Sequence, residues 1–258
     1  MNLPVLVINR AEDRERWMGF CAAAARVGVE PHRIDARDGH VNGFLTKEDA
    51  ALVGSTFWGR SSIKPGALAC FISHRTAWRA VLDSGYDAAL ICEDDARLTE
   101  DTSRVSEILA GVQPINLLFA NDRMAAWATA AGGNAEIKVV SDVLSDLGNA
   151  SGPAALGLKR APGGDAYVLS RRGAKRLLDA TARQKILCGV DWAMIWNSLE
   201  PVKVPVGFPE LEILKEIAPE SADLTAHVLT RPIAMLAENT PSVLRHSIEI
   251  PIADLLSG

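Results

Sequence analysis

The sequence predicts an α/β protein with a mostly parallel central sheet and helices on both faces. The chain opens with a strand, a helix and a second strand over residues 3–36, which is the βαβ unit of an open parallel sheet. Short apolar runs without polar alternation recur later, as expected of strands that are covered on both faces. Segments with apolar residues at helical spacing separate these runs. Together these three observations indicate the α/β class.

The first βαβ unit places polar residues at the edge where such sheets bind ligands. Residues 3–8 and 32–36 form its two strands, and a helix connects them. Ligands of open α/β sheets bind beyond the carboxyl ends of the strands. Asn9, Arg10 and Asp38 follow these two strands directly, so we expect them at the binding edge.

A long helix follows, with two polar residues near its middle. It begins at Pro65, because proline is favoured in the first helical turn, and Gly85 ends it. His74 lies at the edge of the apolar stripe of this helix, whereas Ser73 lies well off the stripe. A lone histidine at such a border is usually a packed, hydrogen-bonded core residue. Spacing alone therefore leaves open whether His74 packs in the core or serves a site.

Three consecutive carboxylates, Glu93, Asp94 and Asp95, follow the buried strand at residues 88–92. If the chain stays extended through Asp95, Glu93 and Asp95 point to one side and Asp94 to the other. Two carboxylates at a strand end suit Mg²⁺ or Mn²⁺, which prefer oxygen ligands and take further oxygens from phosphates. A turn that begins at Asp94 would bring that residue into the metal shell instead. The competing interpretation is a solvated turn whose acid caps a following helix.

The rest of the chain continues the alternation of strands and helices. Later strands are expected at residues 114–120, 137–140 and 165–169, and helices at residues 170–178 and 191–199. Two segments rich in small residues are interpreted as loops, at residues 121–136 and 141–164. Residues 1–200 are predicted to form one domain. Residues 201–258 are predicted to form a C-terminal extension that packs on the same domain.

Composition excludes several classes of partner. The 258 residues carry a net charge of −5, so the chain lacks the basic footprint of a nucleic-acid-binding protein. The four cysteines are widely spaced without a Cys-x-x-Cys pair, which suggests neither a zinc site nor a disulfide framework. Reduced thiols predict a cytoplasmic protein. No window approaches a transmembrane span, so at most a peripheral membrane association is expected.

Six segments, in order along the chain, resemble those of glycosyltransferase family 25. This family includes bacterial lipooligosaccharide galactosyltransferases and the collagen hydroxylysine galactosyltransferases. The segments are an Ile-Asn pair with an Arg-rich turn at residues 8–16, Ala-x-Asp-Gly at 36–39, Cys-x-x-Ser-His at 70–74, Glu-Asp-Asp at 93–95, Gly-x-x-x-Tyr-x-x-Ser-x-x-Gly-Ala at 163–174, and Val-Asp at 190–191. Each segment is weak alone, but six in the family order are specific.

The resemblance implies a GT-A type nucleotide-sugar-binding fold and an inverting transfer from a UDP-sugar, with UDP-galactose as the expected donor. The acceptor would be a glycan, a lipooligosaccharide or a glycoprotein. A diphosphate leaving group needs a metal ion or a cationic clamp placed in advance. Glu93 and Asp95 would accordingly hold Mn²⁺ or Mg²⁺, and Asp94 would face the protein or the sugar.

The same resemblance assigns the remaining site residues. Asp191 would be the general base for the acceptor hydroxyl, with an ordinary helix N-cap as the competing interpretation. The nucleotide pocket would be lined by Asn9, Arg10 and Asp38, with Ser73 and His74 near the diphosphate or the ribose.

Departures from the family pattern leave room for a different donor sugar. Ala69 replaces the usual Gly, Arg10 stands where Leu is common, and Asp165-Ala166 replaces a small residue and Gly. Two other hypotheses compete with a transferase. A catalytically silent relative would keep the pocket without turnover, although the intact acid triplet argues against it. A metal-dependent phosphohydrolase would need further ligands, and the five histidines show no ligand-like spacing.

Overall fold

The structure is a computed structural model, and it describes residues 3–41, 43–100, 102–111, 114–159, 161–200, 203–218, 220–221, 224–237 and 248–257. The strands are β1 (Val5–Asn9), β2 (Pro31–Asp35), β3 (Ser62–Ile63), β4 (Ala88–Glu93), β5 (Ala96–Leu98), β6 (Leu117–Phe119), β7 (Ile137–Val139), β8 (Ala166–Ser170), β9 (Ala226–Leu229), β10 (Ala234–Leu236) and β11 (Ile250–Pro251). The helices are α1 (Arg14–Arg26), α2 (Lys47–Ala50), α3 (Pro65–Asp83), α4 (Ser103–Gly111), α5 (Asp122–Ala130), α6 (Val140–Asn149), α7 (Arg171–Gln184), α8 (Val190–Trp196), α9 (Pro209–Ile217) and α10 (Ile252–Ser257), with a 3₁₀ turn at Pro153–Leu156.

A seven-stranded sheet forms the centre of the molecule, in the order β2-β1-β4-β8-β6-β9-β7. The pairs β1–β2, β1–β4 and β6–β9 are parallel, whereas β8 and β7 run against their neighbours. Five of the seven strands therefore share one direction, which confirms the predicted mixed α/β sheet with mostly parallel strands. Because β1 and β4 are neighbours in register, Ile8 lies opposite Glu93 at the carboxyl edge.

Apolar side chains fill both faces of the sheet, as the near-continuous apolar strands predict. Along β1, Leu6 and Ile8 join a core with helices α3, α5, α6, α7, α8 and α9. The alternate residues Val5 and Val7 join a second core, which includes Phe20 of α1. Strand alternation thus divides one apolar run between two cores, and helices cover both faces.

Two segments interpreted as loops contain helices, so that interpretation is wrong. In the segment 121–136, Asn121 caps α5 by accepting a hydrogen bond from the Met124 backbone N–H at 2.8 Å. Alanine makes up half of the buried face of α5, beside Met124 and Trp127, which gives a weak apolar periodicity in the sequence. In the segment 141–164, α6 buries Val140, Val143, Leu144 and Leu147, a helical spacing that the small-residue composition obscured.

The acid triplet does not continue the extended strand. β4 ends at Glu93, Asp94 and Asp95 form a turn, and the chain re-enters a strand at β5. β5 pairs with β10, so no helix follows the triplet directly. The premise that strand alternation holds through Asp95 is therefore wrong, and each carboxylate has its own environment.

The region after residue 200 contributes to the central sheet. β9 lies between β6 and β7, with Ala226 to Leu229 buried. Residues 201–202, 219, 222–223, 238–247 and 258 of the predicted extension lie outside the described residues. The domain division at residue 200 stays a prediction.

Candidate active site

The cleft at the carboxyl ends of β1, β2 and β4 contains most of the predicted site residues. The cleft has a volume of about 690 Å³, part of which is open solvent. Eight predicted residues line it, namely Asn9, Arg10, Asp38, Ser73, His74, Glu93, Asp94 and Asp95. They come together because β1 and β4 are adjacent parallel strands and α3 packs beside them. The cleft lies where open α/β sheets bind ligands.

Asp94 is held by protein groups on both of its oxygens. Asn9 Nδ2 donates to Asp94 Oδ2 at 2.7 Å, and Arg16 Nη2 forms an ion pair with Asp94 Oδ1. Burial raises the pKa of the Asp94 carboxyl, against the opposite effects of Asn9 and Arg16. Asp94 therefore fixes the turn onto β1 and α1.

Asp95 is partly buried, and only one of its two carboxylate oxygens has a partner in the described residues. Its Oδ2 lies 3.2 Å from Arg16 Nη2, whereas its buried Oδ1 has no hydrogen-bond partner in the part of the chain that the structure describes. Burial, followed by the negative charge of Glu93, raises the pKa of Asp95 to about 7. A buried acceptor without a donor is costly unless a ligand or a cation satisfies it.

Glu93 is oriented by a chain of buried hydrogen bonds. Trp78 Nε1 donates to the Tyr167 hydroxyl oxygen at 2.8 Å, and this hydroxyl lies 2.8 Å from His74 Nδ1. His74 Nε2 lies 3.3 Å from Glu93 Oε1. If the hydroxyl donates to Nδ1, His74 carries its proton on Nε2 and donates it to Glu93.

The charges around Glu93 favour its ionised form. Burial acts to raise the pKa of Glu93, but the hydrogen bond and charge of His74 and the positive charges of Arg123 and Arg16 outweigh it, so the pKa is lowered. Glu93 is 30% exposed, so this carboxylate is open to the cleft. It presents a negatively charged oxygen to any bound ligand.

Arg10 and Asp38 form the opposite wall of the cleft. Arg10 Nη1 lies 3.0 Å from Asp38 Oδ2, and Arg10 Nε lies 2.7 Å from Asp13 Oδ2. Gly39 lets this wall approach α3 closely, because a Cβ there would lie 2.6 Å from the Pro65 carbonyl carbon. Asp13 and Asp38 therefore hold the Arg10 guanidinium in place, and its remaining N–H groups can bind an anion.

Ser73 is a buried linker between α3 and the segment after β2. Its hydroxyl donates to the Ala69 carbonyl at 2.7 Å and accepts from the Arg37 backbone N–H at 2.8 Å. Both interactions are internal to the protein. Ser73 thus positions the loop that carries Asp38.

Asp191 lies near the acid cluster but is absent from the lining of the cleft. It is the second residue of α8, and Gly189 occupies the N-cap position, so the ordinary N-cap interpretation is wrong. Its carboxylate accepts from the backbone N–H of Trp192 at 2.9 Å and of Gly163 at 3.4 Å. Burial raises the pKa of Asp191, as suits a group that takes up a proton.

Three residues that the sequence did not mark as site residues complete the charge pattern. Arg16 bridges Asp94 and Asp95, and Arg123 pairs with the buried Asp165. Arg123 also acts electrostatically on Glu93 and Asp191. Arg16 belongs to the Arg-rich segment at residues 8–16, which was a usable signal, and the structure places it on α1. Arg123 is the second residue of α5, shortly after the end of β6, so its position was a weaker signal.

Two sets of side chains could hold a metal ion. Glu93 and Asp95 offer hard carboxylate oxygens, and the unpartnered Asp95 Oδ1 is an observation that fits a cation. The thiol of Cys70 lies beside His74 and Glu93 as a second set with mixed donors. Burial and then the charge of Glu93 raise the pKa of this thiol well above its usual range.

The fold and the cleft define an α/β protein with an acidic cleft at the carboxyl edge of parallel strands. A family model described as glycosyltransferase family 25 (LPS biosynthesis protein) matches residues 2–194. The chain belongs to glycosyltransferase family 25. Membership indicates a glycosyltransferase of lipopolysaccharide biosynthesis, with a sugar donor and a glycan acceptor. A comparison with curated proteins finds no match.

Within the described ranges, every helix falls short of the length and apolar character that a bilayer crossing requires.

Proposed function

We propose that this family member transfers galactose from UDP-galactose to a glycan or glycoconjugate acceptor, with inversion at the sugar and with the help of Mn²⁺ or Mg²⁺. The donor would bind a GT-A type fold in the cleft, and the reaction would take place in the cytoplasm. The observation that carries the proposal is the acid pair Glu93 and Asp95 in the cleft, with a buried carboxylate oxygen of Asp95 unpartnered in the described part of the chain.

The donor pocket follows from the charges of the cleft. The Arg10 guanidinium, fixed by Asp13 and Asp38, would bind an anionic oxygen of the diphosphate. Asn9 and Asp38 would line the nucleotide side. Ser73 and His74 would act mainly by positioning the Asp38 loop and Glu93.

Glu93 and Asp95 would hold the divalent cation. When bound, such a cation offsets the negative charge that develops on a departing diphosphate. Arg16 supports this arrangement, because it neutralises part of the acid cluster and holds Asp94 away from the donor. Asp94 would then be a structural residue rather than a ligand.

Asp191 would be the general base. The acceptor hydroxyl oxygen forms a bond to the anomeric carbon while the bond from that carbon to the diphosphate oxygen breaks. The hydroxyl proton passes to the Asp191 carboxylate, and UDP carries away the bonding electrons. The raised pKa of Asp191 supports this role, because a stronger base takes the proton more readily.

A thermal-shift panel tests the donor class. The protein is heated with UDP-, GDP- and CMP-sugars, each with and without Mn²⁺. We expect UDP-galactose with Mn²⁺ to raise the melting temperature, because a ligand that binds only the folded state stabilises it. Equal shifts for all three nucleotides, or none, would contradict the proposed donor and favour the phosphohydrolase hypothesis.

A further inference from the structure

Three side chains with different donor atoms converge at the floor of the cleft. The Cys70 sulfur, a His74 ring nitrogen and a Glu93 carboxylate oxygen lie within 4.8 Å of one another. Cys70 and His74 are four residues apart on α3, so both project from one face of that helix. Glu93 comes from the end of the neighbouring strand β4. The three residues therefore belong to two rigid elements.

The spacing of these donors suits a tetrahedral ion. His74 Nε2 and Glu93 Oε1 are 3.3 Å apart. Two atoms that bind the same zinc ion at about 2.0–2.1 Å in tetrahedral geometry are separated by roughly this distance. A small movement of the Cys70 thiol would complete three ligands, and the cleft leaves the fourth position to a water molecule.

The donor types distinguish this set from the Glu93 and Asp95 pair. Thiolate and imidazole ligands select zinc, whereas Mg²⁺ and Mn²⁺ prefer oxygen. The other ring nitrogen of His74 already has a partner, because Nδ1 lies 2.8 Å from the Tyr167 hydroxyl. Histidines that bind metals generally use their second nitrogen in this way.

We propose that Cys70, His74 and Glu93 form a zinc-binding site, separate from the hard-cation pair but sharing Glu93 with it. On binding, the Cys70 thiol proton passes to solvent. The single ring proton of His74 moves from Nε2 to Nδ1, so that Nε2 can bind the ion and Nδ1 donates to the Tyr167 hydroxyl oxygen. Zinc in this site withdraws Glu93 from the hard cation and so inhibits transfer. That inhibition rests on the proposed function, whereas zinc binding does not.

Cobalt spectroscopy tests the site without any activity measurement. The full chain is titrated with Co²⁺, which replaces zinc and gives a near-ultraviolet charge-transfer band when a thiolate binds it. We expect this band in the wild-type protein, its loss in Cys70→Ser, and its displacement by Zn²⁺. Cys21→Ser is the matched control, because Cys21 is also partly exposed but lies on α1, and it should keep the band.

A second measurement guards against misfolding of the Cys70→Ser variant. In the wild-type protein, Zn²⁺ should slow alkylation of Cys70 at least severalfold relative to Cys21, as followed by mass spectrometry of peptides. No band in the wild-type protein, a band that survives in folded Cys70→Ser, or a ratio of Cys70 to Cys21 alkylation rates that Zn²⁺ leaves unchanged would each overturn the proposal.

Discussion

The three adjacent acids at the end of β4 have different surroundings. Asp94 is bound on both oxygens by Asn9 and Arg16, whereas one oxygen of Asp95 is buried without a partner in the described ranges. Glu93 is open to the cleft and oriented by His74. The turn at Asp94 and Asp95 produces this division. Glu93 is still part of β4, whereas the two aspartates no longer follow the alternation of a strand.

Removal of the Asp95 charge should stabilise the protein in EDTA. The pKa of Asp95 is raised from 3.8 to about 7 in the folded state. The folded state therefore keeps this proton to higher pH than the unfolded state, and stability is lost as pH rises between these values. The amide side chain of the Asp95→Asn variant does not titrate. The stability of this variant relative to the wild type therefore increases with pH over that range. Because one pKa unit is worth about 1.4 kcal/mol, we expect a gain of at least about 1 kcal/mol at pH 8.

Melting curves of the Asp95→Asn variant at pH 5 and pH 8 check this expectation. The exposed Asp83 provides a control, since Asp83→Asn should show no gain that grows over this range. An equal gain in stability at pH 5 and pH 8 would mean that burial and the charge of Glu93 do not raise the pKa of Asp95.

Asp191→Asn should separate binding from chemistry. The amide keeps the size of the side chain and one oxygen, which can still accept the 2.9 Å hydrogen bond from the Trp192 backbone N–H. Its NH2 group replaces the second oxygen, so only the longer hydrogen bond from Gly163 is lost, and the fold and UDP binding should be preserved. Because the amide cannot take a proton, the transfer rate should fall by about a hundredfold or more. Near-normal turnover would place the base elsewhere.

At the scale of elements, α7 packs against the sheet at a position where only glycine fits. A Cβ on Gly173 would lie 2.9 Å from Leu169 Cδ1 and would contact the Asn116 carbonyl oxygen still more closely. Gly173→Ala should therefore cost about 1–3 kcal/mol of unfolding free energy, because the helix must shift.

The matched control for this prediction is Gly111→Ala in α4. A Cβ on Gly111 meets nothing within 4 Å, so alanine there should be neutral or should stabilise by up to about 1 kcal/mol. Urea unfolding of both variants measures the difference. Equal stabilities for the two variants would show that α7 is not seated as closely as the structure has it.

Sequence patterns predicted the elements whose signals are local. Pro65 and Gly85 mark α3, and Ser170 caps α7 by accepting from the Gly173 backbone N–H at 3.1 Å. The segment that contains α5 was predicted as a loop, because alanine makes up half of the buried face of this helix and the apolar periodicity is weak. The sequence left open whether a turn begins at Asp94, because the answer depends on the pairing of β5 with a distant strand, β10.

At the scale of the whole molecule, the sheet order brings distant segments to one cleft. β1 and β4 are neighbours, and β8 pairs on the other side of β4. Glu93 donates its backbone N–H to the Asp165 carbonyl at 2.9 Å, so the acid cluster is joined to the segment before β8. Motifs named most of the cleft residues, but only tertiary structure shows the partners Arg16 and Arg123. Their contacts join elements that the sequence does not show to be adjacent.

The central proposal is a metal-dependent UDP-sugar site built on Glu93 and Asp95. Calorimetric titration of UDP in Mn²⁺ and in EDTA tests it most directly, with wild-type, Asp95→Ala and the control Asp83→Ala proteins. Folding of each variant is checked by its melting curve. We predict UDP binding in Mn²⁺ for the wild type and the control, and loss of at least tenfold in affinity, about 1.4 kcal/mol, in EDTA or in Asp95→Ala. Undiminished binding in EDTA and in folded Asp95→Ala would contradict the proposed site.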